Sequence, residues 1–364
     1  MVGFYLFPIS YAFLSFPIAA AIFTVPFLVV QYRRHGYIHK FRALMLYLLL
    51  LYLLNAVYLV LLPLPQSIHN APLEADSYFQ WIPFHFLADI VRETGVSFGR
   101  PSTYPHLFGE RAVLQVAFNV LLTIPFGLFL RYYLRARWAR CLVLSLSLSL
   151  LFETTQVTGI YGIYDYPYRL FDVDDLITNT LGGMIGYVTA EWLASRLPRI
   201  DRLDEGVDLA AKRVGYTRRL LAAAIDWCVL LPVCAVLAVM RVPFLYVYPA
   251  VVIVYFIVLP WMTKGRTAGK WVVRIRLRGK GDGDRPSIGA LAVRYGLLYL
   301  IAGGANLAYP AVAVRDFPPL ALIPYAVGLF AMNAWLAVHL VRCFFNRRRA
   351  PFHDKWSDTR QVVG

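Results

Sequence analysis

Charge is what this sequence has least of. Lys, Arg, Asp and Glu make up 16% of its 364 residues and hydrophobic side chains 59%, whereas a soluble domain carries about 25% charged residues. So little charge cannot cover a water-exposed surface, and the composition implies an all-α, polytopic membrane helical bundle. Acid is scarcer than base, 21 Asp and Glu against 36 Lys and Arg, leaving a net charge of +15. The basic residues come in bursts between apolar runs, which bears on topology and membrane lipids and not on nucleic acid. The four cysteines, Cys141, Cys228, Cys234 and Cys343, lie in or beside apolar runs and form neither a disulfide framework nor a CxxC metal site. The opening MVGFYLFPIS has no basic stretch ahead of its apolar residues, so the first run is expected to be retained. P-loop, GxGxxG and zinc-hydrolase motifs are missing, and no cofactor is implied. Ser145, Ser147 and Ser149 lack a histidine partner, and His85, Asp89 and Glu93, at i, i+4 and i+8, lack the rest of a metal shell.

What is present is a series of runs near the roughly 20 apolar residues that a membrane span needs. About nine are read, at approximately 7–30, 42–63, 111–131, 139–158, 174–195, 217–240, 243–262, 288–311 and 319–342. Alternate connections are rich in base: Arg33 to Arg42, Arg131 to Arg140, Arg196 to Arg219, Lys264 to Arg285, and Arg347 to Arg349. The others are poor in it: 64–110 is acidic on balance, 159–173 holds only Arg169, and the last two hold Arg241 and Arg315. The positive-inside rule then predicts a cell-membrane protein with its N-terminus outside and its C-terminus in the cytoplasm. Residues 1–196 and 216–364 form two membrane domains, joined by a cytoplasmic linker at 197–215. Val272–Leu277 alternates with strand period, and TRQVV, Thr359–Val363, is its expected partner in a small cytoplasmic β element.

One stretch concentrates the polar chemistry of the first half. Under this topology Glu153 and Gln156 lie near the outer end of the fourth run. Asp174, Asp175 and Asn179 lie in the first turns of the fifth, behind Arg169 and Asp172. Asn119 is about eight residues into the third, or about 12 Å at 1.5 Å per residue. Helix capping accounts for some of these acids, with Asp172 as N-cap, but not for Glu153 or Asn179. Ionisable groups at membrane depth are functional candidates by default. An outward pocket formed by Asn119, Glu153, Gln156, Arg169, Asp172, Asp174, Asp175 and Asn179 is therefore expected, with Glu153 carrying most weight. Pro125 should kink the third helix, while Gly182 and Gly186 mark close helix contact. QWIPFHFLADIVRE, with Trp81, Phe84 and Phe86, is expected to lie in the outer interface. In the second half, Asp226 sits two helical turns beyond Arg219. The pair is either a packing device or an ion or proton site.

These pieces resemble two known families in one chain. WIPF (81–84), NVLLTIPFG (119–127), ETTQ (153–156) and RLFDVDDLITNTLGGMIGY (169–187) resemble the VanZ-like family, associated with resistance to the glycopeptide teicoplanin. The family usually has Asn just before the IPF-type motif, where this chain has Gln80 and Trp81. YTRRLLAAAID (216–226), KGRTAGKWVVRIRL (264–277), RPSIGALAVR (285–294) and HDKWSDTRQVV (353–363) are similar to the RDD family. That resemblance implies Arg219, Asp226 and Asp354 as the eponymous Arg and two Asp, and some members look like cation/proton antiporters. The favoured function is non-enzymatic binding of an amphipathic ligand, a lipid-linked cell-wall intermediate or a lipoglycopeptide antibiotic. A transporter using Arg219 and Asp226 is the alternative, and a membrane enzyme holding a metal on the acids is a third.

Overall fold

Apolar sequence in lipid must satisfy its backbone polar groups internally, which leaves the helix as the natural answer for runs of this length. The structure, a computed structural model, describes residues 2–75, 77–94, 111–209, 213–241, 243–279, 285–313, 319–346 and 350–364. Lys212, Arg315, the triplet Arg347 to Arg349 and residues 95–110 of the expected outer loop lie outside the described residues, as does the side chain of Glu93. Among those described, Leu6–His35, Lys40–Leu61, Ala112–Tyr132, Tyr216–Leu237, Ile288–Pro310 and Leu322–Phe345 are long and apolar enough to cross a membrane. The protein is a multi-pass membrane protein. The chain divides into two compact units, Met1–Thr24 with His39–Glu205, and Val25–Ile38 with Gly206–Gly364. Helix α1 (Val2–His35) thus contributes to both.

In the first unit, α2 (Lys40–Leu61) is followed by the short strand β1 (Phe79–Gln80) and the helix α3 (His85–Thr94). Then come α4 (Arg111–Tyr132), α5 (Trp138–Val157), the single turn α6 (Gly159–Gly162), β2 (Phe171–Asp172) and α7 (Val173–Leu193). Close approach of α4 and α7 depends on glycine. A Cβ on Gly127 would stand 1.8 Å from the Gly183 carbonyl oxygen, and one on Gly186 would stand 2.1 Å from that of Ile124. The connecting loops are braced. β1 pairs in parallel with β2, Asn70 exchanges two hydrogen bonds with the backbone of Tyr166, and Asp165 N–H donates to the Ile68 carbonyl at 3.0 Å. Trp81, Ile82, Phe84, Leu87 and Val91 are all exposed, so the surface of this region is rich in large apolar side chains. The expected linker is only partly one. Asp201 pairs with Arg135 at 2.7 Å, and Asp204 pairs with the buried Arg42 at 3.0 Å, so residues up to Glu205 fold onto the first unit.

In the second unit, α8 (Tyr216–Val239) precedes α9 (Phe244–Val252), a π-helical stretch at Ile253–Val258 and α10 (Leu259–Met262). The short α11 (Ala268–Val272) leads into β3 (Ile275–Gly279). Next are α12 (Ile288–Tyr295), a second π-helical stretch at Gly296–Gly303, α13 (Gly304–Ala313) and α14 (Pro319–Phe345). Finally α15 (Phe352–Trp356) precedes β4 (Thr359–Val363). β3 and β4 are antiparallel, with Ile275 opposite Val363 and Gly279 opposite Thr359. The partner is the one the sequence predicts, but the strand starts three residues late. Thr267 caps α11 by accepting from Lys270 N–H, so Val272 belongs to that helix, and Arg274 turns the chain at φ 54°. Ile275 and Leu277 are fully buried, as the alternation requires. Tyr32 packs with Val214, Leu221, Ala222 and Val273, which is why the end of α1 belongs to this unit.

Candidate functional site

Three helices of the first unit converge through hydrogen bonds between their polar residues. Asn119 on α4 donates to the Asp175 carboxylate on α7. Asn179, one turn below Asp175, donates from Nδ2 to Ser149 Oγ on α5 at 3.0 Å, and Ser149 Oγ donates to the Asp175 carbonyl at 3.2 Å. Thr123, wholly buried, donates to the Asn179 carbonyl at 2.6 Å. Gln156 ties α5 to α2 by donating to the Val60 carbonyl at 2.7 Å. These links leave a cavity of about 870 Å³, within the size range of ligand pockets. Asn119, Glu153, Gln156, Asp172, Asp175 and Asn179 form its polar side with exposed Arg169. Leu59, Val60, Phe118, Leu121, Leu122 and Phe152 form its apolar side.

Two expectations need correction. Asp174 does not line the cavity: its carboxylate accepts from the backbone N–H groups of Phe84 and Phe86, at 2.5 and 2.9 Å, and fixes the entry to α3. Glu153 does have a backbone role, since its Oε2 accepts from Asp172 N–H at 3.0 Å and holds β2 against α5. Asp172 is the N-cap, accepting from Asp174 N–H at 2.8 Å. Burial pushes the Asp172 carboxyl above its usual range, against the lowering effect of that N–H. Among the described residues, Glu153 Oε1 has no hydrogen-bond partner and Arg169 has no ion pair. Gln115, which sequence reasoning missed, also lines the cavity. Its signal was the i, i+4 spacing from Asn119 on a helix. Ser149 gave no such signal in its SLSLSL context. His85 and Asp89 hydrogen-bond each other at 3.0 Å.

Comparison with known families follows the two units closely. Residues 49–194 match the VanZ/LLP1 family model, and residues 213–358 match the RDD family model. Residues 49–194 thus carry a VanZ-like domain and residues 213–358 an RDD-family domain. No curated protein and no solved structure matches it. The cavity belongs to the VanZ-like domain, built from the same segments that carry the resemblance.

In the RDD domain the three eponymous candidates do not form one cluster around Arg219. Arg219 pairs with Asp354 at 2.5 Å, and not with Asp226; buried Arg294 meets the other Asp354 oxygen and donates to Thr359 Oγ1 at 2.8 Å. Asp226, 1% exposed, accepts from the Tyr255 hydroxyl, the Thr267 hydroxyl and Gly269 N–H, each at 2.7 Å. Lys270 Nζ stands 3.9 Å away and donates to the Tyr295 hydroxyl at 2.8 Å. A side chain at Gly269 would meet the Ala222 carbonyl at 2.0 Å, so glycine lets this turn reach the carboxylate. Buried Arg218 donates to the carbonyls of Val273, Gly36 and Arg274 at 2.7, 2.7 and 2.8 Å. Sequence reasoning missed Arg294, Lys270 and Arg218, because which of many basic residues is buried depends on tertiary packing.

Proposed function

We propose that the VanZ-like domain is a non-enzymatic binder of an amphipathic ligand in the outer leaflet of the bacterial cell membrane. The ligand is a lipid-linked cell-wall intermediate or a lipoglycopeptide antibiotic, and binding would underlie glycopeptide (teicoplanin) resistance. The observation that supports this is the two-sided cavity, polar through α4, α5 and α7 and apolar through Leu59, Phe118, Leu121 and Phe152. Amide and carboxylate groups suit hydroxyl and amide groups of a headgroup, Arg169 suits a phosphate or carboxylate, and the apolar side suits a chain. The positive-inside reading puts this end of the bundle outside and the chain's C-terminus in the cytoplasm. The antiporter alternative gains no comparable support, because Asp226 is already engaged by three donors beside Lys270.

Glu153→Gln tests the proposal with little change of shape, since the amide oxygen still accepts from Asp172 N–H. Teicoplanin resistance, or ligand recovered with the purified protein, should fall about tenfold or more, as expected for losing a charge-assisted contact, while membrane levels stay the same. Asp174→Asn serves as control: it weakens the loop before α3 and should lower yield more than binding. Unchanged resistance and unchanged ligand recovery in well-expressed Glu153→Gln protein would refute the reading.

A further inference from the structure

The charge balance of the cavity narrows the ligand further. Glu153, Asp172 and Asp175 bring three carboxylates to its wall and Arg169 one guanidinium, a formal excess of two negative charges when all are ionised. Enclosing that much like charge without a counter-charge is costly. A second observation is independent of the acids. Asn179 is 4% exposed, and its Oδ1 is buried without a hydrogen-bond partner. Its orientation is fixed chemically: Ser149 gives its own hydrogen to the Asp175 carbonyl, so it can only accept from Asn179 Nδ2. The cavity wall therefore carries an acceptor set, the Glu153 carboxylate and Asn179, whose buried Oδ1 still lacks a donor. The cation stands apart, on exposed Arg169 in the segment before β2.

We propose that the ligand enters with a primary ammonium group, which donates to Glu153 and Asn179, while its anionic group rests on Arg169 and its chain on the apolar side. This rests on the proposed ligand-binding role of the cavity and names the headgroup chemistry: an amine-bearing zwitterion in preference to a wholly anionic headgroup, which the carboxylates would repel. An ammonium meets both demands at once, having charge for the acids and three donors for the orphan acceptors.

The full chain in a neutral maltoside detergent is titrated with lysophosphatidylethanolamine and with lysophosphatidylglycerol of equal chain length. The ethanolamine lipid should bind about tenfold or more tightly than the glycerol lipid, the scale of one charge-assisted contact. Glu153→Gln should shrink the ratio to about threefold or less. Lysophosphatidylcholine, which keeps the charge but has no N–H, should bind like the glycerol lipid. O-phosphoethanolamine without a chain should compete only weakly; competition equal to that of the lipid would identify a soluble ligand and overturn the amphipathic assignment. Equal binding of the ethanolamine and choline lipids would overturn the donor role of the ammonium. Equal or stronger binding of the glycerol lipid, still weakened by Glu153→Gln and by a cavity-filling Leu122→Trp, would overturn the ammonium and leave the cavity standing. Binding of all probes unaffected by either variant, with both variants melting near the parent temperature, would remove the cavity reading as well.

Discussion

Asp226 divides the two views of the RDD domain, because its surroundings are those of a structural anchor. Its three hydrogen bonds come from α11, its cap and Tyr255, so it fastens that helix against α8. Asp226→Asn in the full chain would leave the buried Lys270 ammonium without its carboxylate, and removing one member of a buried pair costs roughly 3–5 kcal/mol. A lower melting temperature in detergent is expected, partly restored by adding Lys270→Met. Parent-like melting together with abolished pH-dependent cation flux in proteoliposomes would instead make Asp226 a transport residue. At this scale the sequence was informative about which acids are buried and poor about their partners. Asp226 stands out as a carboxylate inside an apolar run, but Arg219 finds Asp354 far along the chain, a choice that spacing along one helix cannot encode.

The α4–α7 pair and the C-terminal tail show how much an element depends on single positions. Gly183 supplies the carbonyl against which Gly127 packs, and a Cβ on Gly183 would stand 2.1 Å from Ser145 Oγ. Gly183→Val should force α5 and α7 apart at about 1–3 kcal/mol, a typical cost of overpacking, read as a lower melting temperature. The small-residue spacing was legible beforehand as helix contact; the neighbour each glycine admits was not, because it depends on the rotation of both helices. The tail is sensitive to pH. Burial, and Arg294 beside it, lower the His353 pKa to about 3. Burial opposes ionisation of Asp354, but Arg294 and Arg219 outweigh it and hold that carboxyl below its ordinary value. Both shifts act in one direction. The unfolded tail takes up a proton on His353 below about pH 6.5, its ordinary pKa, and one on Asp354 below about 3.9, whereas the docked tail resists both. The hydrogen-exchange protection factor of Thr359–Val363, taken against the intrinsic exchange rate at each pH, should therefore fall as pH drops from 7 toward 4, by at most about tenfold per pH unit from the histidine. His353→Gln should flatten that range. The pairing of β3 with β4 was legible from period-2 alternation, whereas its three-residue offset came from the cap on α11.

For the whole molecule, the alternation of basic bursts gives a topology that chemical labelling can check. With the four native cysteines replaced, Ser77→Cys should react with an impermeant maleimide on intact cells, and Lys355→Cys only after permeabilisation. Reaction of both from one side would overturn the N-outside arrangement. The two-family composition was legible because both sets of motifs are local in sequence. The division of the first helix was not, since nothing in a uniformly apolar run marks the point where one unit ends. That division bears on the ancestry of the chain. Val25–Ile38 belongs to the unit formed by Gly206–Gly364, and Gly36 provides one of the three carbonyls that hold Arg218. A gene-level exchange that moved only the stretch from residue 206 onward would therefore carry away an incomplete module, with an arginine short of one acceptor. To move intact, the second unit would have to bring the end of the first helix with it.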